Sequence, residues 1–418
     1  MQEGHALWEV SLNSKSKYGI LLFSSVLVIY AIIGGMLGRV SAQSGAYQQL
    51  SIFTDVLSHI KDDYVDEPSL KEALIGAVRG LIESVDPHGG YLTAKELAFY
   101  KDYNPQKTPG IGAIIIRRFG YPIIVSVIPG GPAAKAGLGT GDIIESIDNV
   151  TTREMNIVQL NAVLASPAGK PVKLSVIKRR RAEPEPVQLN REATPIPAVE
   201  AKIVESNVAY IHIPYLGAGK AQEAKKQIEG LLKKNVTGIV LDLRGTAGGD
   251  EQEAVQLANL FIDSGSLGYL QGQKFDKKTF TANPKDAVTK LPVVALINQG
   301  TAGAAEIIAG ALVDNKRANL VGTKTFGAAA FQRVIPMDDG AALLLSVAKY
   351  YTPSGVEIQE NGIKPTVEAL QQSEELFNPD DDTEVVPPSK APVVEEDRQL
   401  KKAIEVLKDP SKALKKAA

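Results

Sequence analysis

Two continuous apolar runs constrain this chain more than anything else in it. Ile239-Val240-Leu241-Asp242-Leu243 leads into Gly245-Thr246-Ala247-Gly248-Gly249 and then a helical stripe of Ala254, Leu257, Leu260 and Phe261. Val293-Val294-Ala295-Leu296-Ile297 is followed by a helix carrying Ile307, Ile308, Leu312 and Val313. Strands without polar alternation are buried on both faces, which requires helices on both sides of a parallel sheet. Strand–loop–helix units repeated over residues 186–366 therefore predict a partly parallel α/β core. Sites in such cores form beyond the carboxyl ends of the strands, which directs attention to 245–249 and 298–304.

The flanking segments have other periods. Within residues 46–106, Leu50, Phe53, Leu57, Ile60 and Tyr64 form one amphipathic stripe. Ser69-Leu70-Lys71-Glu72 reads as a capping box opening a second helix, with Leu70, Leu74, Val78, Leu81 and Val85 on its inner face and Pro87 ending it. Residues 107–185 turn to strands at 113–116, 122–127, 143–147 and 172–176, with short helices expected at 133–136 and 158–164. The Lys178-Arg179-Arg180-Arg181 run has no aromatic or basic company, so it reads as a solvated strand end and not as a nucleic-acid surface. Residues 367–418 read as an acidic, proline-containing tail with a short helix over 398–408 that uses Leu400, Ile404 and Leu407.

No charge interrupts Tyr18–Gly38, about the twenty residues a helix needs to cross a bilayer. Lys15 and Lys17 before it put residues 1–17 in the cytoplasm. A cleaved signal peptide ending at Val40-Ser41-Ala42 is the competing reading, but Arg39 sits against that site and the run is long for a signal sequence. The expectation is an anchor in the inner membrane with the body on the periplasmic side of the cell envelope. Composition mostly excludes. With 46 basic and 48 acidic residues and a net charge of −2, no global field favours nucleic acid. The absence of cysteine removes disulfides, thiol nucleophiles and cysteine-ligated zinc, and the four histidines are scattered singly, so no metal or other cofactor is expected.

Read together, several motifs carry a resemblance. Asp86-Pro87-His88-Gly89-Gly90-Tyr91-Leu92, then Gly110-Ile111-Gly112 with Gly131-Pro132-Ala133-Ala134-Lys135-Ala136-Gly137, then Leu241-Asp242-Leu243-Arg244 with Gly248-Gly249 follow in order. Tyr351-Thr352-Pro353-Ser354-Gly355 and Gly362-Ile363-Lys364-Pro365 close the series. Over residues 46–367 the chain resembles the carboxy-terminal processing peptidases, or tail-specific proteases. The resemblance implies an α/β (α+β multidomain) chain: N-terminal helices, an inserted PDZ domain over 107–185 and a parallel-sheet-containing protease core over 186–366.

Members of that family cleave with a serine–lysine dyad, the serine in T/S-A-S-A-x-E and the lysine in F-G-K-G-x-x-Q. Here those motifs read Thr301-Ala302-Gly303-Ala304-Ala305-Glu306 and Phe326-Gly327-Ala328-Ala329-Ala330-Phe331-Gln332. By the resemblance, Gly303 occupies the nucleophile position and Ala328 the general-base position, while the supporting Gln332 is retained. Gly248, Gly249 and Ala304 stand at the oxyanion-type positions. Glycine is an acceptable helix cap in place of serine, and alanine removes a buried charge that has lost its partner, so the exchanges keep the fold and lose the chemistry. Together with the altered 245–247 loop and Ala329 they read as drift, not as an engineered knockout. A substitute dyad of Thr301 and Lys324 is the alternative that would leave an active peptidase; a shift of even 1 Å costs about 100-fold. The resemblance implies that Gly110, Ile111, Gly112 and Ala113 receive a peptide's terminal carboxylate, with Val158, Leu160 and Val163 lining the side-chain pocket. The expected function is that of a membrane-anchored pseudoprotease binding protein C-termini as regulator or scaffold, with an active paralogue or a second copy as partner.

Overall fold

The computed structural model describes residues 14–105, 107–118, 120–165, 169–179, 181, 183–371 and 396–409; within the first helix, side chains are described at 18–19, 21–30 and from 50 onward. The chain divides into one unit up to Ala77 and another from Val78. Helix α1 (Ser14–Asp63) contains the whole of the expected 18–38 segment. Among the described residues no helix is long and apolar enough to cross a membrane. Residues 1–13 and the side chains of 31–49, which carry half of that segment, lie outside those described.

Helix α2 (Leu70–Val85) corrects the expected inner face. Leu70, Leu74, Leu81 and Val85 are exposed, and the buried residue is Ile82. The covered face carries Ile82 with the half-buried Ile75, Val78 and Arg79, and Arg79 pairs with Glu96 at 3.0 Å while the exposed Glu83 reaches Arg117 at 2.7 Å. Periodicity finds a helix's apolar stripe but does not say what covers it. Strand β1 (Gly90–Leu92) and helix α3 (Ala94–Asp102) follow, the latter closed by a Thr93–Glu96 capping box.

The PDZ-type unit comprises β2 (Ala113–Arg118), β3 (Tyr121–Val127), α4 (Pro132–Lys135), β4 (Ile143–Ile147), β5 (Val150–Thr151), α5 (Ile157–Leu164), β6 (Pro171–Ile177) and β7 (Pro184–Asn190). Its antiparallel sheet runs β2-β3-β4-β6-β7, and a bridge between Gly110 and Glu192 closes it. The unit therefore ends beyond residue 190, not at 185: Lys178, Arg179 and Arg181 of the basic run fall between β6 and β7, which pair along their whole length.

The core follows: β8 (Glu200–Val204), β9 (Val208–His212), α6 (Lys220–Leu232), β10 (Gly238–Asp242), α7 (Glu251–Asn259), β11 (Ser266–Gln271), β12 (Lys278–Thr281), β13 (Val293–Ile297), α8 (Ala304–Asp314), β14 (Ala318–Gly322), β15 (Ala330–Pro336), β16 (Ala342–Tyr351), β17 (Val367–Glu368) and α9 (Arg398–Lys408). One sheet has the order β17-β14-β13-β10-β9-β8, parallel except for β8 at the edge. The two apolar runs are its central neighbours, β10 and β13, fully buried along their length. A second, antiparallel sheet pairs β16 with β1, β11 and β15, so the 86–92 motif belongs to the core and not to a helical region ending at 106. The tail also contributes. Strand β17 pairs with β14, and α9 packs Ala403, Ile404 and Val406 against Val240, Val294, Leu296 and Val321 on the sheet face. Residues 372–395 lie outside those described.

Candidate functional site

Beyond β13 the chain turns through 298–303, where Asn298 Oδ1 accepts from Gly245 N at 3.2 Å and Gly300 N at 2.9 Å, tying the two strand-end loops together. Gly303 closes the turn with φ 63° and ψ −123°, immediately before α8. This is the backbone of a type II′ corner, at home in glycine and strained in any residue with a Cβ. As expected, Gly303 caps α8, and Glu306 at N3 accepts from its N–H in half of a capping box, though the backbone of 303 is not the extended one of an ordinary serine cap. Its positive φ suits glycine. Space is not the obstacle, since a Cβ there would stand 3.6 Å from Ala328 O and from Gly248 N, ordinary contact distances.

Positions 303 and 328 are held together by one carboxylate. Glu306, fully buried in the first turn of α8, accepts from Gly303 N (3.0 Å), Ala328 N (2.8 Å), Gly327 N (2.7 Å) and Thr325 Oγ1. Burial pushes its pKa up to about 7 even though all four hydrogen bonds favour the charged form. The sequence motif contains this residue but gives no sign that it joins the 303 and 325–328 loops. What is legible is an acid inside an otherwise wholly apolar helical run, Ala304–Leu312.

Ala328 faces a cavity of about 170 Å³ bounded by His88, Arg117, Gln332 and Gln359. Gln332 Nε2 donates to His88 O at 2.7 Å, and Gln359 joins Ala329 N to His88 Nε2 at 2.7 and 2.9 Å. His88 is held below its ordinary pKa by burial, which suits an imidazole whose Nε2 accepts from Gln359. The 86–92 motif is fixed to the core by Asp86, whose carboxylate takes Ser346 N at 2.6 Å and His88 N at 3.1 Å.

The glycines at 248 and 249 have φ of 69° and 104°, and a Cβ at 249 would meet Leu216 at 2.6 Å. Gly248 N thus lies beside position 303, and Ala304 contributes a first-turn amide of α8, which has no acceptor within its own helix. Donors of this kind are what an oxyanion needs. Thr301 and Lys324 are not brought together as a dyad. Thr301 is fully buried, with Oγ1 donating to Leu243 O at 2.8 Å and accepting from Asn298 N at 3.1 Å, while Lys324 is exposed.

A cavity of about 180 Å³ runs along Gly110–Ile115 of the PDZ-type unit and the facing side of α5, with Tyr215 and Gly248 of the core in its wall. Gly112 has φ 68°, and a Cβ would meet Thr194 Oγ1 at 2.9 Å. The α5 residues that line the groove are Asn161, Leu164 and Ala165. Val158 and Leu160 are corrected: both are buried, Val158 against Leu92 and Leu344 and Leu160 in the unit's own core, and Val163 does not line the groove. Val158 shares a helix face with Asn161 and Ala165 but stands in the first turn of α5, where Leu92 and Leu344 cover it, whereas the groove runs along the helix's C-terminal end. The unit docks on the core through Ile114, Ile116, Ile123 and Val125 against Ala247, Ala302, Phe326 and Ala328, with Ser126 Oγ donating to Gly245 O.

A model of peptidase family S41 matches residues 207–369, and one of the PDZ domain matches 123–178. The chain is 30% identical over 364 residues to the carboxy-terminal-processing protease of Bartonella bacilliformis, covering 86% of this chain and 82% of that one. It is 33% identical over 336 residues to the carboxy-terminal processing protease CtpA of Bacillus subtilis, covering 80% and 72%. The chain belongs to the carboxy-terminal-processing protease family. Its fold matches the solved photosystem II D1 C-terminal processing protease with a TM-score of 0.66 at 26% identity, over 76% of this chain and 86% of that one.

By the resemblance, positions 303 and 328 answer to the serine and lysine of the family's dyad, and here they carry glycine and alanine. A Cβ at 303 would stand 3.6 Å from Gly248 N and from Ala328 O, and a cavity borders Ala328.

Proposed function

We propose that the chain is a catalytically silent member of its family that binds protein C-termini through its PDZ domain and serves as a regulator or scaffold. Its partner is an active paralogue or a second copy of itself. The apolar run at 18–38 holds it at the inner membrane, with the body on the periplasmic side. The observation that carries the silent reading is the pair Gly303 and Ala328 inside a frame whose glycines, Glu306 bracket and Gln332 are all in place. Nucleophilic acyl transfer needs an activated oxygen and a base within hydrogen-bond reach, and neither aligned position supplies one. The PDZ groove supports the binding reading, because its carboxylate-receiving loop keeps the glycine backbone that a chain terminus requires.

The test is to incubate the full chain with an unfolded protein ending in apolar residues. No cleavage is expected from the wild type or from Gly303→Ser alone, and cleavage is expected from Gly303→Ser with Ala328→Lys. Cleavage by the wild type that is abolished by Thr301→Val would overturn the proposal. A labelled peptide with an apolar C-terminus is expected to bind and to weaken at least tenfold when its carboxylate is amidated; equal binding of both forms would remove the PDZ reading. Alkaline carbonate extraction of membranes, which leaves spanning proteins behind and releases peripheral ones, tests the anchor.

A further inference from the structure

A separate cavity of about 370 Å³ lies where the PDZ domain meets the core. Arg118, Thr140 and Arg179 reach it from the PDZ side, and Gln299, Lys324 and Phe326 from the two core loops that carry positions 303 and 328. Arg118, Arg179 and Lys324 are among the residues that line it, and no Asp or Glu among the described residues does. The Arg118 guanidinium lies at Phe326 O (3.4 Å) and over the Phe326 ring, 5.1 Å from its centre. Arg179 lies across Gly141, where a Cβ would meet its Cδ at 2.8 Å, so the glycine is what lets the arginine fold over the turn. Asp142 beside it is occupied elsewhere: its carboxylate accepts from Gly139 N and Arg179 N and stands 3.9 Å from Lys178 Nζ.

We propose that this cavity is a binding site for a small multivalent oxyanion of the phosphate and pyrophosphate class. Basic side chains that line a concave, partly apolar space raise its potential, and a multivalent anion is what such a space concentrates. Guanidinium and ammonium groups are the donors that phosphate oxygens take, and Thr140 and Gln299 add neutral polar groups. The bound anion bridges the PDZ domain to the 299 and 324–326 loops, so its binding tightens the docked arrangement over the lost catalytic positions.

The experiment is calorimetric titration of the full chain with sodium pyrophosphate and with sodium phosphate at 150 mM sodium chloride. One pyrophosphate per chain is expected, with phosphate weaker. Arg179→Gln and Lys324→Gln, both at exposed positions, are each expected to weaken pyrophosphate at least tenfold, and the distant surface change Lys234→Gln to leave it unaltered. Amide exchange over 299–303 and 324–328 is expected to slow when pyrophosphate is bound. Absence of saturable binding, affinities in Arg179→Gln and Lys324→Gln equal to the wild type, or equal weakening in Lys234→Gln would each overturn the proposal; binding that disappears on raising the chloride concentration twofold would mean an adventitious ion only.

Discussion

At position 303 the backbone, and not the side chain, records what the fold demands. A φ of 63° is free for glycine and costs about 1–3 kcal/mol for a residue with a Cβ. Gly303→Ala is therefore expected to lower stability by an amount in that range, measured by denaturant unfolding, although its methyl group meets no close contact. Glu306 is the complementary case. Its folded pKa of about 7 lies above the ordinary 4.5, so between those values the folded chain keeps a proton that the unfolded chain has released. The stability it contributes is fully present below about pH 4.5 and is lost as pH rises through 7. Glu306→Gln is expected to remove that slope from a plot of melting temperature against pH between 5 and 8; a slope unchanged in the variant would mean another group titrates. Both residues stand within one motif, yet only 303 announced itself in the sequence, because it departs from a pattern while Glu306 conforms to it.

Among the elements, α9 has the expected bounds, 398–408, and packs through the expected Leu400, Ile404 and Leu407. What the sequence left open is where it docks, and it covers one face of the parallel sheet. Arg244, at the end of the Leu241-Asp242-Leu243-Arg244 motif, clamps it. The guanidinium takes Asp242 at 2.6 and 2.9 Å and the helix-capping Asp397 at 2.7 and 2.9 Å. Burial works against the Asp397 charge, but the hydrogen bonds from Arg244 hold its pKa below the ordinary value. Its contribution is present above that ordinary value and fades as pH falls through the lowered one. Asp397→Ala is expected to cost about 2 kcal/mol through the lost cap and charged hydrogen bonds, and to speed amide exchange throughout α9. Exchange unchanged there would mean that apolar packing alone holds the helix. Helix α2 differs in another way: Leu70, Leu74, Leu81 and Val85 are exposed, and the covered face is the one that carries Ile82.

In the whole molecule, the PDZ domain and the core share walls. Tyr215 and Gly248 of the core line the peptide groove, and Val125 of the PDZ domain packs into the cluster that contains Ala328. Val125→Asp places a charge in that cluster without entering the PDZ domain's own core. It is expected to split a single calorimetric unfolding transition into two and to weaken C-terminal peptide binding severalfold, because the groove loses its core wall. One transition with unaltered peptide affinity would count against this coupling.

The sequence by itself determined the buried parallel strands, the order of the units and the family, since each is written in local periodicity or in motifs a few residues long. It did not determine which face of α2 is covered, where the PDZ unit ends, that α5 turns 161, 164 and 165 and not 158 to the groove, or that α9 seals the sheet. Those depend on which surfaces meet, and burial is decided by contacts between residues far apart in the chain, which no local pattern specifies. The same holds at the site. The glycine at 303 is plain in the sequence, but the positive φ that makes glycine the unstrained residue there, and the single buried carboxylate that holds positions 303 and 328 side by side, exist only once the two loops are folded against each other.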